Sequence, residues 1–307
     1  MNRPVLSQNR PADFDSFWSS VRNRLSKISA APERNPNPMH STDYADMFDV
    51  HLTSIGPYRI FAYLSIPHGI GPFPARYYLP KYGSVVEPIP QGSANAQREQ
   101  YVTFSLGVRG QRQADQPFSA SFPGLLTTFI EDPHTYPFTG IVADCLRGLE
   151  YLIDCPEVDK TRIVAIGNDL ALFTAALSSH ITHLVCTPTL FFASGDVAPQ
   201  TEEYPLEEFN DYFRINPAKI DNAARTLSYF DIRWFASWLQ VPTLIMGAAD
   251  GELLDRKTLN PLLQDSSTRT EFHPAEHSTY KDGLFVEEWL TSKFGLGNPV
   301  LPEHWQQ

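Results

Sequence analysis

The stretch Arg162-Ile163-Val164-Ala165-Ile166-Gly167-Asn168-Asp169-Leu170-Ala171 constrains the fold most, because a short apolar, β-branched run meets a glycine and passes directly into an apolar helical pattern. Such a run reads as a strand, a sharp turn and a helix. A turn of this kind presents a nucleophile in the pattern G-x-S-x-G, where strain pushes the central side chain out at the top of a sheet. Here the central position is Asp169. Taken alone, the stretch is more simply an ordinary strand-to-helix turn in which Asp169 or Asn168 caps the helix from Leu170 onward, since Asx residues are preferred caps. The rest of the chain has to decide between the two.

With 307 residues, 42% of them hydrophobic, the chain has the material for one sizeable core,. The 26 prolines are spread along it and no repeat or low-complexity run marks a linker. We therefore expect one α/β domain over residues 1–307, with 1–35 as an N-terminal helical extension and about 196–238 as a helical cap insertion. A net charge of −11 disfavours nucleic acid or an anionic membrane as partner,. The segment Met1-Asn2-Arg3-Pro4 lacks the apolar stretch of a signal peptide, and no run is long enough to span a bilayer, which predicts a cytoplasmic protein,. Cys145, Cys155 and Cys186 lack the close spacing of a zinc site and read as buried free thiols,.

In chain order, Phe14, Phe17, Trp18, Val21, Leu25 and Ile28 recur at helical spacing,. Alternating runs on either side of Gly56-Pro57 predict an antiparallel hairpin, followed by strands over Phe73 to Leu79 and Tyr101 to Val108,. A long loop carries Phe118, Phe122, Asp132-Pro133 and Tyr136-Pro137, a length usual for loops built over a site,. Helix is expected from about Gly140 to Ile153, and strand over His183 to Pro188. Helical spacing then runs from Thr201 to Trp238, and strand and helix alternate to Phe294. An antiparallel start followed by alternating strand and helix predicts a mostly parallel twisted sheet with helices on both faces.

In such sheets, sites form at the carboxyl ends of the strands. Three of those ends carry Asp169, Asp250 and His277 in that order. Nucleophile, acid, histidine is the order of the α/β-hydrolase fold. A metal held by the same three residues has suitable ligand types, but the triad arrangement already explains them, and we expect neither metal nor cofactor.

The residues also carry a family likeness. The segments Pro11 to Trp18, Val108-Arg109-Gly110-Gln111, Asp132-Pro133 through Tyr136, and Ala143 to Arg147 contribute to it. So do Pro156 to Asp159, Arg162-Ile163, Arg225 to Asp231, and Pro242 through Asp250. Over nearly its whole length the chain resembles the acetyl xylan esterase and cephalosporin C deacetylase family of α/β-hydrolases. The resemblance implies a homo-oligomer with sites facing an interior, and deacetylation of small or oligomeric acetylated sugars. It matches Asp250 to the triad acid and His277 to the triad base. It also matches the backbone amides of Tyr82 and Leu170 to the oxyanion hole. The departures fall on the working surface: Asp169 stands where the family has serine, Leu170-Ala171 replaces Gln-Gly, and Pro80-Lys81 replaces His-Gly.

A serine esterase passes its hydroxyl proton to histidine and forms an acyl-enzyme that water opens. A carboxylate would form a mixed anhydride and is a poor nucleophile towards unactivated esters, so ordinary deacetylation is expected to be absent or weak. The leading reading is a hydrolase of altered chemistry acting on a small ester or related substrate. The second is a non-catalytic homologue that keeps the pocket for binding or assembly. A further reading takes Asp169 as the nucleophile of an alkyl-enzyme hydrolase of the dehalogenase or epoxide hydrolase type.

Overall fold

The computed structural model describes residues 9–83, 86, 89, 97–265, 270–276 and 279–299. The first half runs α1 (Phe14–Ser26), β1 (Glu33–Pro36), β2 (Ala45–Ser54), β3 (Tyr58–Pro67), β4 (Phe73–Tyr78), α2 (Gln97–Gln100), β5 (Val102–Gly107) and α3 (Pro137–Asp154). The middle runs β6 (Val158–Gly167), α4 (Asp169–Leu177), β7 (His183–Cys186), α5 (Ser194–Val197), α6 (Glu207–Ile215) and α7 (Ile220–Ser228). The chain closes with a 3-10 segment (Ile232–Trp238), β8 (Thr243–Gly247), α8 (Asn260–Asp265), β9 (Thr270–Pro274) and α9 (Thr279–Phe294).

The strands form one sheet in the order β1-β2-β3-β5-β4-β6-β7-β8-β9. Pairing is antiparallel from β1 through β5 and parallel from β5 through β4 to β9. This is the α/β-hydrolase architecture that the alternation of strand and helix predicts. The hairpin turns where expected, at Gly56 with φ +104°, a conformation that favours glycine,. Three short elements escape the sequence pattern, β1, α2 and α5. All four residues of β1 are exposed, so it has no alternation to read, and it is a strand only because Glu33 to Pro36 pair with His51 to Phe48.

Consecutive residues of β6 face opposite sides, as the strand period requires. Ile163 and Ala165 join the larger core cluster, and Val164 joins the smaller one with Tyr101, Val185, Leu244, Trp289 and Leu290. On the smaller side α9 is tied to β4 by a bidentate pair in which Arg76 donates to both Glu287 oxygens at 2.6 Å, both side chains buried. On the larger side, α1 buries Phe14, Phe17 and Trp18. The Trp18 indole N–H donates to the Tyr229 carbonyl at 3.0 Å, and the Phe14 ring lies 4.9 Å from Phe235. Full burial of one tryptophan removes roughly 200 Å² from water, worth on the order of 5 kcal/mol by area. The segment Ile232–Trp238 thus packs with α1 and α4 in the core.

The three cysteines are free and buried, as expected. Among the described residues, no helix is long and apolar enough to cross a membrane.

Candidate functional site

The turn after β6 is built on Gly167. A Cβ there would meet the Leu79 carbonyl at 3.0 Å, so glycine lets the end of β4 approach. Asp169 opens α4, and the described non-glycine residues with positive φ are Ala31, Gln113, Phe129, Ala193 and Leu254. The central residue of the turn is therefore in ordinary backbone, which corrects the expectation of a strained elbow that pushes its side chain outward. The capping alternative is also corrected, because Asn168 occupies the cap position without a side-chain cap bond.

Both side chains reach instead to the segment after β7. Asp169 Oδ2 accepts from the Thr189 amide (3.1 Å), the Thr189 hydroxyl (2.9 Å) and the Leu190 amide (3.0 Å), and Oδ1 accepts from the Phe191 amide (3.0 Å). The Asn168 side-chain amide donates to the Thr189 hydroxyl oxygen at 2.9 Å. Residues 189–191 have left the sheet, and their amides would otherwise be buried without strand partners. Asp169 is 1% exposed and supplies those acceptors. Burial pushes its carboxyl above the usual range, while the amides of Phe191 and Leu190 and the Thr189 hydroxyl pull it down,. Burial, with the Asp169 charge adding to it, also raises the neighbouring Cys186 thiol well above its ordinary value. Burial thus disfavours the Cys186 thiolate, the form in which a cysteine acts as a nucleophile,.

Asp169, Leu170 and Tyr82 come together at one cavity, lined also by Lys81 after β4, Gln111 after β5, and the apolar side chains Phe122, Leu125, Phe138, Ile141 and Leu190. Its interior is about 30 Å³, room for a water- or methyl-sized group,. The Arg-Gly-Gln motif shapes the wall beside it. Arg109 donates to both Asp144 oxygens, at 2.8 and 2.7 Å, and to the Ile55 carbonyl at 2.9 Å. Gly110 has φ +86°, and a Cβ there would meet Phe118 and Ala120 at 2.8 Å. The Gln111 side-chain oxygen Oε1 accepts from the Val108 amide at 2.9 Å.

Above the cavity, the Tyr82 hydroxyl donates to Glu208 of α6, and the second Glu208 oxygen accepts from the Leu126 amide at 3.2 Å. Burial and this partner raise the Tyr82 phenol. Glu208, raised chiefly by burial, ties α6 to the segments that carry Tyr82 and Leu126. Nothing in the local sequence marks it, since it sits in a helix rich in acidic residues. The amides of residues 189–191 are equally unmarked, because any residue type supplies one.

Asp250 is exposed on the turn after β8 and is not among the residues lining the cavity. That turn is organised by Asp255, which accepts from the Gly251 amide at 3.0 Å and the Thr258 amide at 2.8 Å. These bonds, the Thr258 amide first, hold the Asp255 carboxyl below its usual range. His277 lies outside the described residues. Among the described residues, no cluster of three or more His, Cys, Asp or Glu side chains is placed to hold a metal.

With this geometry in place, the relatives are informative. Residues 5–255 match the family model described as acetyl xylan esterase. The chain belongs to the acetyl xylan esterase family. The match includes Asp169 and Asp250 and ends before His277. The chain is 24% identical over 248 residues to the acetyl esterase Axe7A of Xylanibacter ruminicola, covering 76% of this chain and 55% of that protein, so it spans about half the length of this relative. It is similar to the solved acetyl xylan esterase of Paenibacillus sp. R4, with a TM-score of 0.77, 20% identity, and coverage of 93% of this chain and 96% of that one. Acetyl xylan esterase 1 of Thermoanaerobacterium sp. JW/SL YS485 gives 0.78 and 17%, with 94% and 96% covered. At these identities the structural likeness establishes the α/β-hydrolase fold, and the family match carries the membership.

Proposed function

We propose that this member of the family keeps its cavity to bind a small ester or acetylated ligand, and that Asp169 has made the nucleophile position a structural one, without serine-type deacetylation. The observation that carries the reading is the set of four hydrogen bonds on the Asp169 carboxylate. An ionised carboxylate offers about four acceptor positions, and donors engage a matching number here. Attack on a carbonyl would require breaking some of them in a buried site. The cavity itself suits an acetyl methyl, being methyl-sized and walled by Phe138, Ile141 and Leu190.

The cavity also favours one competing reading, in which Asp169 attacks an alkyl carbon, because Asp169, Leu170 and Tyr82 all line it. In that case the covalent ester would be opened by water activated at His277. Incubation with p-nitrophenyl acetate, acetylated xylo-oligosaccharide, and halogenated and epoxide substrates in oxygen-18 water separates the two. We expect no turnover above background and no label in the peptide containing Asp169. Label entering that carboxylate would replace the binding reading with covalent catalysis, and turnover without label would replace it with direct attack by water.

A homo-oligomer is part of the proposal. Phe122, Phe129, Tyr204 and Ile215, on the cavity loop and around α6, are between 39% and 77% exposed, and a second copy would cover them,. Light scattering that reports a monomer at micromolar concentration removes this part.

A further inference from the structure

The opposite end of the sheet carries a second and larger hollow. It lies where α1 meets the end of α4 and the segment entering β8, and holds about 460 Å³. Helix α4 leads away from the Asp169 cavity, and Val241 precedes β8, so the two hollows sit at opposite ends of the strands. The volume falls within the range of small-molecule sites, about 300–1,000 Å³.

One wall is the half-buried Trp238, whose ring is held by Phe14 at 5.2 Å and Phe235 at 5.6 Å. Polar groups surround it. Asp15, Ser19 and Arg22 share one face of α1, four and then three residues apart, with Ser179 and Gln240 completing the rim,. Arg22 donates one N–H to the Leu177 carbonyl at 3.3 Å, which fixes the guanidinium and leaves the rest of its fork for a ligand,. Asp15 is paired with Arg10 at 2.5 Å, 66% exposed, and retains acceptor capacity.

We propose that this hollow binds a neutral oligosaccharide, with a pyranose ring stacked on Trp238 and its hydroxyls met by Arg22, Gln240, Ser179 and Asp15. The chemistry of the wall selects this class. Asp15 and Arg22 balance within the lining, Arg10 adds one positive charge behind Asp15, and a chain of net charge −11 does not gather anions,. A wholly apolar ligand would cover Asp15, Arg22 and Gln240 without replacing their hydrogen bonds to water. A sugar ring has an apolar C–H face and a hydroxylated edge, and the hollow offers an aromatic plate beside planar donors and acceptors. Because Trp238 is already fixed by its neighbours, little side-chain freedom is lost on binding.

Titration of the full chain with unacetylated xylohexaose, followed by calorimetry and saturation-transfer NMR, tests the site. Binding with Kd on the order of 0.1–1 mM is expected. Trp238→Ala should weaken it at least tenfold. Because Trp238 also packs on the core, Gln240→Ala, at an exposed position, is the second variant and should weaken binding about threefold. Phe122→Ala, at the rim of the Asp169 cavity, should leave the affinity unchanged. Three results overturn the proposal: no binding up to about 10 mM, binding that both Trp238→Ala and Gln240→Ala leave intact, or binding that Phe122→Ala abolishes. Equal affinity for a hexagalacturonate would overturn the neutral class.

Discussion

Two aspartates end two strands of the same sheet, and their surroundings could hardly differ more. Asp169, after β6, is 1% exposed and accepts four hydrogen bonds from residues 189–191. Asp250, after β8, is exposed, and the turn around it is held by Asp255 instead. In sequence both are an acidic residue following an apolar strand, and both can be given a catalytic role. The contrast shows that strand-end position alone does not set a carboxylate's surroundings. What matters is whether neighbouring backbone amides have other acceptors, and those of residues 189–191 have Asp169.

The largest effect that would test this contrast is on stability. Asp169→Ala removes the acceptor from the buried amides of Leu190 and Phe191 and from the half-buried amide and hydroxyl of Thr189, at on the order of 1–3 kcal/mol for each group left unsatisfied,. Partial relaxation brings the expected loss to about 3–5 kcal/mol, a fall in melting temperature of roughly 10 °C by calorimetry. An unchanged melting temperature would mean that Asp169 is not the acceptor those amides depend on.

Asp169→Asn should cost less, about 2 kcal/mol, because it keeps one oxygen but turns an amide NH2 towards N–H donors. Its pH dependence sharpens the comparison. Burial raises the Asp169 carboxyl in the folded protein, so the protonated form is favoured by folding relative to the unfolded chain. That contribution is complete below the unfolded value, about 3.9, and is lost as pH rises through the folded one. The stability gap between the native protein and Asp169→Asn should therefore narrow as pH rises above about 4 in urea titrations. A gap that widens would show that the four donors outweigh desolvation.

Asp169→Ser tests how much of the catalytic surface survives. A small gain in hydrolysis of an activated acetate ester is expected, limited because position 169 lacks the left-handed elbow and its side chain faces residues 189–191. A gain of about a hundredfold or more, the scale of a single oxyanion donor, would show that acid, base and oxyanion amides are assembled and only the nucleophile is missing. The smallest effect belongs to Asp250→Asn, which should change stability by less than about 0.5 kcal/mol. A larger loss would reveal a partner that ties Asp250 down as firmly as Asp169.

Much of this was legible from residue order. The periodicity of Phe14 to Leu25, the hairpin about Gly56 and the apolar run of Ile163 to Ile166 all specify elements through local patterns, which a linear reading captures. The family likeness in Arg109-Gly110-Gln111 and Pro242 through Asp250 follows from the same information. Element β1 was not legible, since its exposed residues become a strand only by pairing with β2.

At the site, the sequence by itself determined that a carboxylate, and not a hydroxyl, occupies the turn after β6, and that Tyr82 and Leu170 belong beside it. Only the tertiary structure decided what the carboxylate does. The amides of Thr189, Leu190 and Phe191 lie about twenty residues downstream and belong to no motif, because a backbone donor has no side-chain signature. Their need for an acceptor arises when β7 ends and the chain leaves the sheet inside the core. It is met by whichever side chain the fold brings near, and here the fold brings Asp169.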